Sequence, residues 1–157
     1  MAVITNLITF LIFFTLLNVA VSDNCAYFIS IKTGTRRYAG TDSVIQFTFS
    51  GGSSSDKVLA NLEDFGVMEA GHNYYEDGSF DNFVYSGPCL SSPVCYIKLS
   101  SDQSGSQPGW YVNYVKITTY HCKITKPHVQ NFTVNLWIKS SATRNLCDNQ
   151  AISIADE

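Results

Sequence analysis

Apolar and polar residues change places one by one along much of this chain. Tyr27, Ile29 and Ile31 alternate with Phe28, Ser30 and Lys32, and Ile45, Phe47 and Phe49 alternate with Gln46 and Thr48. Ile97 and Leu99 flank Lys98, and Phe132, Val134, Leu136 and Ile138 alternate with Thr133, Asn135 and Trp137. Successive side chains of a strand point to opposite faces. A period of two, rich in β-branched and aromatic residues, therefore predicts strands with one face buried. The run 110–120 is strand-like, but its apolar set changes face between Val112 and Val115. One extra residue does that, so a bulge is expected near Asn113. Trp110 and Trp137 are expected in the core.

Turn signals separate the strands: Gly34, Gly40, Gly51-Gly52, Gly78, Gly87-Pro88 and the Gly105 to Gly109 stretch. Residues 61–78 read as a structured loop with room for one helical turn. No long segment carries a helical period. Short strands at this spacing predict one all-β sandwich domain without internal repeats. Residues 1–22 differ in kind. They hold a long apolar run and no charged side chain, and Ala20 and Ser22 precede Asp23 in the small-x-small pattern of a signal-peptidase site. The expectation is a signal peptide over 1–22, with no transmembrane segment in the mature chain.

The net charge is −3 and no strong basic field exists, which argues against a nucleic-acid partner. Five cysteines, Cys25, Cys89, Cys95, Cys122 and Cys147, follow the leader. In an oxidising compartment they are disulfide candidates with one thiol left over. Pairing is not set by spacing: Cys89 and Cys95 either close a small loop around Pro93 or each reach a distant strand. The absence of Cys-x-x-Cys and the scatter of His72, His121 and His128 speak against zinc. No nucleophile or metalloprotease motif occurs, so no enzyme is expected. Asn131-Phe132-Thr133 is a glycosylation sequon.

Several motifs then coincide. TGTRRYAGTDSVIQFTF resembles the opening of the PLAT (LH2) domain of polycystin, lipoxygenase and alpha-toxin. HNYYEDGSFDNF resembles that family's Asn-x-x-Glu-x-Gly segment, GWYVNYVKIT its Trp-Tyr strand, and NFTVNLWI its closing strand. The resemblance runs from residue 25 to about 138. GPCLSSPVC and the five cysteines are most similar to small plant proteins made of a signal peptide and a single PLAT domain. It implies an eight-stranded antiparallel β-sandwich over 23–147, with 148–157 as a tail. It also implies a non-catalytic role in stress responses, in the ER lumen or outside the cell.

The resemblance further implies a calcium site made by Gly40, Thr41, Asp42, Asn73 and Glu76, Gly40 and Thr41 acting mainly through backbone oxygen. Hard oxygen donors suit that ion. Tyr74 stands where some relatives carry an acid, and Pro108 and Gly109 stand where some lipoxygenases carry acids of a second site, so a second site is not expected. The plainer reading is that Asp42 caps its own turn while Glu76 and Asp77 are solvated. In lipoxygenases such loops push aromatic residues into membrane. Here the loop reads Arg36-Arg37-Tyr38, with Arg37 where many relatives have tryptophan. That implies electrostatic docking on lipid or a lipid-like ligand. The alternative partner is a protein that binds the same loops or a sheet face, with no lipid or calcium involved.

Overall fold

The computed structural model describes residues 23–52, 56–122 and 125–150. The expected signal peptide and the last residues of the expected tail lie outside these. Eight strands follow in order: β1 (Asn24–Thr33), β2 (Ile45–Gly51), β3 (Lys57–Leu59), β4 (Phe80–Pro88), β5 (Val94–Ser101), β6 (Trp110–His121), β7 (His128–Ile138) and β8 (Ser141–Asn145). They form two four-stranded sheets, ordered β4-β1-β6-β7 and β3-β2-β5-β8, and every pair is antiparallel. This is the expected antiparallel β-sandwich.

The alternating residues explain the packing. Tyr27, Ile29 and Ile31 of β1, Val115 and Ile117 of β6 and Phe132 of β7 are buried against Phe47, Phe49, Ile97 and Leu99 of the other sheet. Each such side chain contributes about 1.5–3 kcal/mol when fully buried. The β6–β7 register slips between Val112 and Tyr114. The expected bulge is thus present, and it lets Trp110 and Val112 share a core with Val115 and Ile117.

Trp110 is in the core, and its indole N–H donates to Thr33 Oγ1 at 3.0 Å. Trp137 is not in the core; it is 42% exposed. Its neighbours Leu136 and Ile138 take the inward side, so Trp137 lies outside, edge-on to Tyr111 at 5.5 Å. NFTVNLWI is β7, but it does not close the fold. The polar edge strand β8 follows, and its Arg144 guanidinium donates to the Thr133 carbonyl at 2.8 Å and to the Val134 carbonyl. The one helical turn in residues 61–78 is a 3-10 turn, Leu62–Phe65, capped by Asn61, which accepts the Glu63 N–H.

Two disulfides form, Cys25–Cys89 and Cys95–Cys147, while Cys122 is unbridged and exposed. Each of Cys89 and Cys95 therefore reaches a distant strand or its flank; the small loop around Pro93 is not closed by them. The bridges span 64 and 52 residues, separations at which each is worth about 2–4 kcal/mol. Cys147 opens a short helix, α1 (Cys147–Gln150), its N–H held by the Asn145 side chain at 3.0 Å.

Candidate functional site

Antiparallel pairing puts the end of β1, the start of β2, the start of β4, the end of β5 and the start of β6 at one end of the sandwich. Three loops meet there: 34–44, 66–79 and 102–109. They carry every residue expected in the cation and docking sites.

Gly40 is the point of closest approach. A Cβ there would stand 2.8 Å from the Tyr75 carbonyl and 3.2 Å from Glu76 Cα. Only glycine lets the first loop lie against the second. The Thr41 N–H donates to the Tyr75 carbonyl at 3.3 Å. Gly40 and Thr41 are thus brought beside Glu76. Within the second loop the Asn73 amide donates to the Glu76 carboxylate. The buried Thr41 hydroxyl is directed into the fold and donates to the Gln107 carbonyl at 2.8 Å. Its own carbonyl remains the atom to consider as a ligand.

Asp42 is a cap, but not of its own turn. Its Oδ2 accepts from the Ser106 hydroxyl at 2.5 Å and from the N–H groups of Ser106 and Gln107 at 3.2 Å each. The Ser106 hydroxyl is the main reason the carboxyl is held below the usual carboxylate range; the two N–H groups add to it, and partial desolvation opposes it. Gly105 adopts φ +80° beside it, where an added Cβ would fall 2.4 Å from Asp42 Cβ. Asp102 repeats the device: it accepts from the Ser104 hydroxyl at 2.7 Å, the Ser104 N–H at 2.9 Å and the Val44 N–H at 3.0 Å. The first and third loops are therefore stitched together by carboxylates bonded to N–H and hydroxyl groups.

Asp77 is not a solvated acid. Its Oδ1 accepts the Gly40 N–H at 2.7 Å and its Oδ2 the Tyr38 N–H at 3.0 Å. Tyr38 has φ 62° and is 55% exposed. Arg37 lies over the Tyr38 ring at 4.6 Å and donates to its hydroxyl at 2.6 Å. Arg36 lies over Tyr111 at 4.2 Å. Both arginines are thus placed on aromatic faces by cation–π contact rather than left as bare loop charges.

Beneath the second loop sits Asp81, a fully buried carboxylate that the sequence reading did not single out. It accepts from the Ser79 hydroxyl at 2.6 Å and the Tyr75 N–H at 2.9 Å, and its Oδ1 lies 2.7 Å from His72 Nε2. The other imidazole nitrogen is 3.4 Å from Glu69. The hydrogen bond to Asp81, more than the opposing desolvation, raises the His72 pKa. Asp77 and Asp81 lie close to Glu76 in sequence but work through partners that no local motif names.

The donor set of Asp42, Glu76, Asn73 and two backbone carbonyls is all hard oxygen and suits calcium in kind. Among the described residues the only compact trio of His, Cys, Asp or Glu groups is Cys25, Cys89 and His121, at the opposite end. Two of its sulfurs are joined in a disulfide, which leaves no thiolate pair for a metal. Asn131 is exposed within β7, opposite Lys116.

Two antiparallel four-stranded sheets over one core, with the loops gathered at one end, define a PLAT-type β-sandwich. Coral 8R-lipoxygenase, reported with calcium activation via a C2-like domain, superposes with a TM-score of 0.57 at 24% identity, over 76% of this chain and 16% of that one. The Clostridium perfringens alpha-toxin superposes with a TM-score of 0.55 at 16% identity, over 83% of this chain and 33% of the toxin. The chain belongs to the PLAT family, within the group described as Embryo-specific protein 3 (ATS3), whose family model matches residues 13–147. It is 41% identical to PLAT domain-containing protein 2 of Arabidopsis thaliana, over 87% of this chain and 80% of the relative. To PLAT domain-containing protein 1 of the same plant it is 37% identical, over 79% and 72%.

Proposed function

We propose that this protein is a non-catalytic PLAT domain of the secretory pathway that docks on anionic membrane lipid, or a lipid-like ligand, through the 34–44 loop. The observation that carries this reading is Tyr38: an exposed ring, turned out by a left-handed backbone and fixed by Asp77, with a guanidinium on its face. An amphipathic ring beside two cations suits a negatively charged interface. Arginines near such a surface contribute about 1 kcal/mol each, which suits reversible docking. Calcium bound by Gly40, Thr41, Asp42, Asn73 and Glu76 would add positive charge to the same face. The hard-oxygen donors, and the likeness to the calcium-activated coral 8R-lipoxygenase and to a calcium-dependent 11R-lipoxygenase, support that step. The two disulfides support an oxidising compartment, ER lumen or cell exterior. Exposed Asn131 is the proposed glycan acceptor there.

Sedimentation with vesicles tests the docking. Binding to phosphatidylserine vesicles, none to phosphatidylcholine alone, and a decline with added salt is the expected pattern. Equal binding to both, or to neither, removes the proposal. Calorimetric titration with calcium, beside Asp42→Asn, tests the cation step. Saturable heat lost in the variant is expected, and no heat up to millimolar calcium returns Asp42 to turn-holding alone.

A second reading, a protein-interaction module, is favoured by one observation. Phe28 and Tyr120 sit edge-on at 5.2 Å on the outer face of the first sheet, 44% and 48% exposed. A partner on that face would bind without regard to Tyr38, Arg36 and Arg37.

A further inference from the structure

The end of the sandwich opposite the docking loops holds a cleft of about 490 Å³. It opens where β1 begins, β6 ends and β7 begins, between the two sheets. Its volume falls within the ordinary range of small-molecule sites, which are mostly apolar with a few placed polar groups.

Three features define what it fits. Leu90, Val94, Pro93 and Pro127 supply an apolar lining. Thr119 and Tyr27 close its inner end. Thr119 shares the inward side of β6 with Val115 and Ile117, and its Oγ1 is buried without a hydrogen-bond partner. The Tyr27 hydroxyl accepts the Leu90 N–H at 2.8 Å, which holds the 90–93 segment against β1. Third, Lys126, His121 and His128 gather around the cleft in a chain whose net charge is −3. The Asp23 carboxylate lies 3.8 Å from His121.

We propose that this cleft binds a small organic anion: an apolar body between the sheets, with a carboxylate at Lys126. The site is separate from the docking loops and does not depend on their function. Charge complementarity sets the sign of the head group.

The full chain, secreted with its own residues 1–22 from eukaryotic cells, is titrated calorimetrically with decanoate below its micelle concentration. Decyltrimethylammonium, with the same tail and the opposite charge, serves as the comparison. Saturable decanoate binding, at least about tenfold tighter than the ammonium compound, is expected. Lys126→Gln, a surface change that leaves the core alone, should weaken decanoate severalfold and leave the ammonium compound unaffected. Thr119→Phe fills the cleft and should abolish binding, with circular dichroism confirming the fold. If it does not fold, Thr119→Leu, which fills less of the cleft, replaces it and should weaken binding. The proposal is overturned by absence of decanoate binding, by equal affinity for both compounds, or by indifference to Lys126→Gln. Loss of binding in an Arg36→Gln, Arg37→Gln variant instead would place the ligand at the other end and also overturn it.

Discussion

Asp77 holds Tyr38 in a left-handed backbone conformation from 39 residues away, through a 3.0 Å bond to the Tyr38 N–H. A non-glycine residue there costs about 1–2 kcal/mol, so the contact must offset that cost. The same carboxylate takes the Gly40 N–H at 2.7 Å, so both ends of the turn hang from one side chain.

Asp77→Ala should therefore release the 38–40 turn. The expected loss is about 1 kcal/mol for exposed N–H to carboxylate bonds of this kind. For a domain of this size that lowers the thermal midpoint by about 4 °C. Vesicle binding should fall as well. Tyr38→Gly separates the two effects: it relieves the backbone, keeps the midpoint and removes the ring. A Tyr38→Gly protein that docks as well as the parent would show that the ring is not used.

Gly105 carries the Asp42 bonds. With φ +80° and Asp42 Cβ at 2.4 Å from any added Cβ, Gly105→Ala forces the turn away from Asp42. It should destabilise the chain by about 1–3 kcal/mol and remove calcium heat together with stability. Asp42→Asn retains acceptor oxygen for the Ser106 and Gln107 N–H groups, so it should lose calcium heat at a smaller cost in midpoint. Denaturant unfolding beside calorimetry distinguishes the two.

The His72–Asp81 pair predicts a pH dependence with a definite sign. The His72 pKa is raised from its ordinary 6.5 in the folded chain. A raised folded pKa stabilises below the unfolded value and ceases to do so as pH rises through the folded value. The midpoint of the parent relative to His72→Gln should thus be largest near about pH 5 and shrink by about pH 8. A constant difference across that range would contradict the pairing. Asp81→Ala strips a fully buried carboxylate from three partners and should cost about 3 kcal/mol at neutral pH.

The thiols give a simple count. Alkylating the native, unreduced protein should add one label per chain, on Cys122, and none in Cys122→Ser. Labelling of Cys95 or Cys147 would contradict the second bridge.

Strands β1, β2, β5 and β7 were legible because one face of each meets the core, and the pleat prints that face on the sequence with a period of two. The β6 bulge was legible for the same reason, since Val112 and Val115 cannot share a face without an extra residue. Strand β4 carries Asp81 on its inward face and ends in Gly87-Pro88, and β8 is polar, so neither prints that pattern. Trp137 was misplaced because the expectation that a large ring is buried was set above the alternation, which puts it opposite Val134, Leu136 and Ile138. At the loop end, Gly40, Asp42 and Glu76 were legible through the resemblance. The partners of Asp42, Asp77 and Asp81 were not, because they come from loops that only the folded sheets bring together.

The most direct test of the docking account is the fraction of protein that sediments with phosphatidylserine vesicles in calcium. The parent is set beside a combined Arg36→Gln, Arg37→Gln, Tyr38→Ser variant of unchanged midpoint. The account predicts that the parent sediments and the variant stays in solution. Equal sedimentation of the two would contradict it and put vesicle binding outside the 34–44 loop.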